Sequence, residues 1–317
     1  MRIAAVVPTW NAREAVLGCL AALGRSTLRA HALVVDNGSR DGTAAAVREH
    51  FVTSEVLVLP RNAGFARAVN LGIARALERG FDAVLLLNDD AHVAPSALEH
   101  LAGALARDPS LGLAAPRLDD ARGRIWYAGG SISRRTAIVR HDRRGERDDG
   151  RAEDVRRVTF APLTAALVHR RALERTGLLD ERFFVYYEDV DLALRLDRAG
   201  LGLAYVPAAR AVHDVGLTAR RDPVARHAHE ARSLCHLLAK HYRGGALATA
   251  IPALLVDRAL RYALLALWRG EPALVVGPLR GLGWFLEERR RQRTGTTSPV
   301  RSSRSASVPR PPPGSAS

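Results

Sequence analysis

Residues 84–91 read VLLLNDDA: four apolar residues without a polar break, then an amide and two carboxylates. An uninterrupted apolar run is what a strand buried on both faces of a parallel sheet requires. Polar residues directly after such a strand stand where an open α/β sheet receives its ligand. Upstream the pattern recurs three times. Short apolar runs at Ile3–Val7, Ala32–Val35 and Val56–Leu59 are followed by segments of helical period over 12–23, 43–50 and 65–77. Strand and helix in alternation predict a parallel sheet with right-handed crossovers, a Rossmann-like nucleotide-binding half. The strand ends to read for chemistry are Pro8-Thr9, Asp36-Asn37-Gly38-Ser39, Arg61-Asn62 and Asn88-Asp89-Asp90.

Each strand end has its own chemistry. In VVDNGSRDGT (34–43), Asp36 is placed to accept from a base N–H or a ribose hydroxyl, while Asp41 and Thr43 read as a helix cap. In RNAGFARAVNLGI (61–73), Gly64 permits close backbone approach, and Arg61 and the helix N-terminus suit a phosphate. Phe65, Val69 and Ile73 recur every four residues as a buried stripe; spacing leaves open whether Asn70 faces ligand or core. The paired Asp89 and Asp90 suit a hard divalent cation, which binds through one or two carboxylates plus substrate phosphates. Farther on, YYEDVDL (186–192) crowds Glu188, Asp189 and Asp191 beside aromatics at an expected helix start. Capping explains acids there; crowding and burial also raise carboxylate pKa toward values useful to a catalytic base.

The second half is looser. A helix over 95–106, strands over 113–115, 160–168 and 203–206, and helices up to 199 and over 223–241 are expected, with residues 134–157 a solvated loop or hairpin excursion. Residues 246–288 carry two apolar segments with Trp268, Trp284, Arg258, Arg261, Arg269 and Arg280 interspersed. They suit helices lying in a membrane interface, or a helical pair packed on the domain. The longest uncharged apolar stretch, 246–256, is too short to span a bilayer. Residues 289–317 hold seven arginines and no acid and are expected to be disordered.

The chain's 317 residues are 47% hydrophobic and 25% charged, as in soluble globular proteins. No secretory signal is read at its start. Two cysteines exclude a disulfide framework and fit a reducing compartment. Half of the formal net charge of +14 lies in the last 29 residues, so it is not a charged face of the folded domain. A nucleic-acid module is not expected, because the acidic clusters would repel polyphosphate unless a cation intervened. A nucleotidyltransferase, the other enzyme class with such a half, would want a glycine-rich basic loop where this chain has VVPTWNARE (6–14).

In order and spacing over about residues 3–245, VVPTWN, VVDNGSRDGT, RNAGFARAVNLGI, LNDDA, FFVYYEDVDLALRLDRAG and VPAARAVHDVG resemble family 2 glycosyltransferases, particularly the rhamnosyltransferase-like branch. The resemblance implies a GT-A fold with a mixed central sheet over 1–245; composition adds a helical extension over 246–288 and a disordered basic tail over 289–317. It implies inverting, metal-dependent transfer, with Mg²⁺ or Mn²⁺, from a nucleotide-diphosphate sugar. The acceptor would be a glycan or a lipid-linked hydroxyl, in cell-envelope polysaccharide synthesis; the setting expected from the C-terminal composition, apolar segments ahead of a +7 tail, is the cytoplasmic, inner face of the membrane. Pro8, Thr9 and Asp36 match nucleotide-binding positions, and Arg61, Asn62 and Gly64 the following loop. Asn88 and Asp90 match the ends of the metal-binding triplet, whose middle position is commonly proline and is Asp89 here. Asp189 matches the base, and His213 a histidine closing the metal-diphosphate site. The QxxRW motif of processive members is absent, which implies one sugar per encounter.

Overall fold

A computed structural model describes residues 1–151, 153–214, 222–254, 261–269 and 271–293. Its first half follows the expected alternation: β1 (Ile3–Thr9), α1 (Arg13–Gly24), β2 (Ala30–Asp36), α2 (Thr43–His50), β3 (Glu55–Val58), α3 (Phe65–Glu78) and β4 (Ala83–Leu87). The four strands run parallel, and β1 and β4 are buried along their whole length. That double-sided burial is why both sequences are continuously apolar.

The sheet continues on the far side of β4. The next elements are β5 (Ala91–Val93), α4 (Ala97–Arg107), β6 (Leu111–Asp120), β7 (Ile125–Tyr127), β8 (Gly130–Ile132), β9 (Val139–His141), β10 (Arg156–Val158) and β11 (Ala165–His169). After α5 (Arg170–Thr176) and α6 (Glu188–Arg198) comes β12 (Gly202–His213). The order is β10-β12-β6-β11-β4-β1-β2-β3, with β11 antiparallel to both neighbours, so the sheet is mixed. The strand expected over 160–168 is confined to β11; Phe160–Thr164 approach it as irregular backbone whose Thr164 carbonyl accepts from the Asn88 amide. The charged excursion folds back as β9, paired with β8, and β10, paired with β12.

The last elements are α7 (Pro223–His241), α8 (Gly245–Leu254), α9 (Arg261–Arg269) and α10 (Ala273–Arg293). Helix α10 lies on α7: a Cβ at Gly281 would stand 2.1 Å from the Ala228 carbonyl oxygen, Trp284 packs on His229, and Glu288 takes Arg232 at 2.8 Å. One face of the extension is therefore packed on the domain. Residues 289–293, expected to belong to a disordered tail, instead continue α10; residues 294–317 lie outside the described residues. Among the described residues no helix is long and apolar enough to cross a membrane.

Candidate active site

The carboxyl ends of β1 and β2 lie side by side, with Thr9 in register with Asp36. Asp36 is buried and accepts from the Ser39 amide at 2.9 Å, which curls the chain after β2 into a turn. Two reciprocal bonds stitch that turn to the end of β1: Asn11 N–H donates to Ser39 Oγ, and Arg40 N–H to Asn11 Oδ1, each at 2.8 Å. Asp41 accepts from Thr43 at the start of α2 and from the Arg13 amide, which makes it a local brace.

A third loop crosses this turn. Gly38 has φ +79°, and a Cβ there would lie 2.5 Å from Arg61 Cα, so the backbones are in contact. Asn37 fixes the crossing by donating to Asn62 Oδ1 and the Gly64 carbonyl and accepting from Ala63 N–H. Asn62 also accepts from Gly64 N–H, so its carbonyl holds the loop. Arg61 projects from the crossing with its side chain exposed. Asn37, Gly38 and Asn11 matter here, and reading residues singly as ligand contacts missed them; the signal was their position at strand ends.

At the end of β4 the two aspartates diverge. Asp90 lies 3.2 Å from His213 Nε2, brought there because β12 pairs with β5 in the register His213 to Ala91. Asp214 N–H donates to the Asp90 carbonyl, closing the junction. Asp89 turns toward Thr9 and the Trp10 amide; burial, then the charge of Asp90, push its pKa up to about 7. Among the described residues, buried Asn88 Oδ1 and His213 Nδ1 have no hydrogen-bond partner. Among the described residues no cluster of three or more His, Cys, Asp or Glu is poised around one point. An acid–imidazole pair with spare buried acceptors fits a divalent cation that completes its shell with phosphate oxygens.

The acids of α6 separate in the same way. The loop before them is held from two sides: Phe184 carbonyl accepts from Phe65 N–H at 2.6 Å, and Val185 carbonyl accepts from Ser233 Oγ at 2.9 Å. Tyr186 and Tyr187 then take φ of +69° and +68°, which throws Glu188 and Asp189 into the first turn of the helix. Glu188 is buried, its Oε2 without a hydrogen-bond partner among the described residues, and desolvation, then Asp189 and Asp191, raise its pKa well above the usual carboxylate range. Asp189 is less enclosed, accepts from Val190 N–H at 2.7 Å, and is pushed by burial up to about 6.

Asp191 is fully buried and held by Lys240 at 2.6 Å, His241 at 2.7 Å and Arg195 at 2.8 Å. Burial pushes its pKa up, but His241, Arg195 and Lys240 outweigh that and hold it below the usual value. A carboxylate spent on Lys240, Arg195 and His241 ties α6 to α7 and has no face left for a substrate proton. Asn70, left open by the sequence, faces the core: its side chain exchanges bonds of 2.8 and 2.9 Å with the backbone of Leu179.

Comparison with known proteins agrees with this geometry. The profile of glycosyl transferase family 2 matches residues 4–177. An N-acetylglucosaminyl-diphospho-decaprenol L-rhamnosyltransferase of Mycobacterium tuberculosis is 31% identical over 248 residues, 71% of this chain and 80% of that protein. Among solved structures, GalNAc-T7 with UDP, GalNAc and Mn²⁺ superposes with TM-score 0.59 at 15% identity, over 93% of this chain and 57% of its own. A mannosyltransferase of Pyrobaculum calidifontis in complex with GDP-Man and Mn²⁺ gives TM-score 0.54 at 19% identity, over 93% of this chain and 88% of that one. The chain belongs to glycosyl transferase family 2, with a rhamnosyltransferase among its relatives, and is a glycosyltransferase of GT-A fold.

Proposed function

We propose that the protein transfers a single sugar, rhamnose by analogy with its relative, from a nucleotide-diphosphate donor to a hydroxyl of a lipid-linked glycan, with inversion at the anomeric carbon. The observation that carries the reading is the pairing of Asp90 with His213 at the same sheet edge as the Thr9–Asp36 strand ends. Thr9, Pro8 and Asp36 take the nucleoside, and exposed Arg61 meets the diphosphate. Asp90 and His213, with Asn88 beside them, hold Mg²⁺ or Mn²⁺. Such a cation, when bound, offsets charge developing on the diphosphate leaving group. Asp189 accepts the proton of the acceptor hydroxyl as that oxygen attacks from the face opposite the leaving group. Glu188 is more deeply buried, and the desolvation and neighbouring carboxylates that raise its pKa favour its neutral form over a second charge at the helix start. One displacement inverts the centre and needs no enzyme nucleophile.

Attachment at an anionic membrane surface belongs to the same reading, because a lipid-linked acceptor is confined to that plane. What supports it is the side of α10 turned away from α7, where Val275, Val276, Leu279, Leu282 and Leu286 are exposed ahead of an arginine run. The testing experiment is a donor screen with dTDP-, UDP- and GDP-sugars, with and without Mn²⁺, reading donor hydrolysis and transfer to a prenyl-diphosphate-linked sugar. Mn²⁺-dependent consumption of one donor class is expected; metal-independent turnover, or nucleotidyl transfer to a sugar phosphate, overturns the reading.

A further inference from the structure

The loop that presents the acids is held by α7 through side chains as well as backbone. The Phe184 ring lies stacked on the His229 ring, with centroids 4.7 Å apart and planes 12° from parallel. One turn along α7, Ser233 Oγ donates to the carbonyl of the next loop residue, Val185, at 2.9 Å. Phe183 is fully buried, and His236 stands edge-on to it at 6.3 Å. His229, Ser233 and His236 follow one another at spacings of four and three, so a single stripe of α7 meets loop residues 183–185. Those residues lead straight into Tyr186 and Tyr187, both with φ in the left-handed region, and then into Glu188 and Asp189. Bulky side chains keep that conformation only where surrounding contacts impose it.

Helix α10 touches the same side chains of α7. Trp284 packs on His229 with centroids 5.2 Å apart, Phe285 stands edge-on to His236 at 5.1 Å, and Glu288 lies 3.2 Å from His236. Gly277 lets the two helices approach, since a Cβ there would stand 2.5 Å from His227 Cβ. His229 is thus in contact with the acid loop through Phe184 and with α10 through Trp284. Its Nδ1 is buried with no hydrogen-bond partner among the described residues, which leaves ring packing as what holds it to both. We infer that His229 is a positioning residue for the catalytic acids and that Trp284 makes α10 the strut behind it. The inference rests on the reading of Asp189 as the base and adds what keeps that carboxylate in place. Donor groups Thr9, Asp36 and Asp90 stand at strand ends of the sheet and not on this loop, so the strut serves the acids and not donor binding.

The test compares His229→Ala, His229→Phe, Trp284→Ala and Ser233→Ala with the native full-length chain, reading Tm, Mn²⁺-dependent donor affinity by calorimetry, and transfer kcat well below Tm. His229→Ala and Trp284→Ala should lower kcat about tenfold or more, the scale on which a misplaced catalytic group loses rate. Donor affinity should stay near native, and His229→Phe, which keeps the stack and discards the nitrogens, should recover most of the rate. Ser233→Ala removes one bond to the same loop and little bulk. It should lower kcat in the same direction, and it carries the test if the ring variants do not fold. His229→Ala, or Ser233→Ala in its place, is then combined with Asp189→Asn and with Glu188→Gln. Its loss should vanish beside Asp189→Asn, since a base already removed cannot be misplaced. Losses that add in full in both backgrounds overturn the inference. So does a folded His229→Phe as slow as His229→Ala, a native kcat in the folded Ala variants, or a donor affinity that falls as far as kcat. If Asp189→Asn alone is near native and the loss vanishes beside Glu188→Gln instead, the assignment of the base to Asp189 fails and the strut stands.

Discussion

The Phe184 carbonyl accepts a 2.6 Å hydrogen bond from the Phe65 amide, so the loop that presents the acids is seated directly on the N-terminus of α3. Gly64, just before that amide, has φ +93°, and a Cβ there would come within 2.7 Å of both the ring and the carbonyl of Phe184. Gly64→Ala therefore has to push the loop away as well as strain its own backbone. Stability should fall by about 1–3 kcal/mol, and turnover should fall further than the loss of folded protein explains. Thermal unfolding and kcat on the same preparation check this; a native kcat in the variant would show that the seat does not position the acids.

Asp90 and Asp89 should behave as different residues. Asp90→Ala removes the carboxylate beside His213, and Mn²⁺-dependent donor binding should be lost. Asp89→Asn should be much milder, since Asp89 is turned toward Thr9 and Trp10. Calorimetry of donor binding with and without Mn²⁺ decides it: undiminished metal-dependent affinity in Asp90→Ala would remove Asp90 from the site.

Why one aspartate of an adjacent pair faces a histidine 123 positions away while the other turns toward Thr9 is not written in local spacing. It follows from the antiparallel pairing of β5 with β12, a register between distant segments. The parallel strands and their helices were legible because burial on both faces forces unbroken apolar runs. The same local reading placed Glu188, Asp189 and Asp191 together but not their fates, because Lys240 and His241 reach Asp191 from α7. The extension over 246–288 read as interfacial or packed, and α10 packs glycines and Trp284 toward α7 while leaving aliphatic residues exposed.

The Asp189 assignment has a pH signature. Its pKa is raised to about 6, chiefly by burial, so the basic form dominates above that value and is lost as pH falls through it. Transfer rate should climb with pH through about 6 and then level. Asp189→Asn should lower transfer by at least about a hundredfold and abolish this limb while donor binding persists. A near-native rate in Asp189→Asn together with loss in Glu188→Gln would move the base to Glu188.

Asp191→Asn should be a stability variant. Removing one charge from a buried cluster deprives Arg195, Lys240 and His241 of their shared carboxylate, at a cost of about 3–5 kcal/mol. The folded-state pKa of Asp191 is depressed, so its contribution is present above the unfolded carboxylate value and vanishes as pH drops through the folded one. Urea unfolding should therefore separate native and variant widely at neutral pH and bring them together in acid. A gap that persists undiminished in acid would mean the ion cluster is not the source.

Membrane attachment is tested best by substitution. Truncating the chain at Arg243 would strip from α7 the helix that covers His229 and His236, and the fold would suffer along with any binding. Leu279 and Leu286, 66% and 53% exposed on the side of α10 away from α7, can be changed to Asp without touching that packing. Apolar insertion and attraction to anionic lipid are additive, the latter worth about 1 kcal/mol per basic residue near the surface. The full chain should float with vesicles containing anionic lipid at low salt, and the double Asp variant should remain behind while keeping its native Tm. Moderate salt weakens only the electrostatic part, so native chain that stays bound in salt shows the aliphatic stripe inserted. If the double variant floats as well as native chain and salt releases both, the arginines alone hold the protein to lipid and the stripe faces something else.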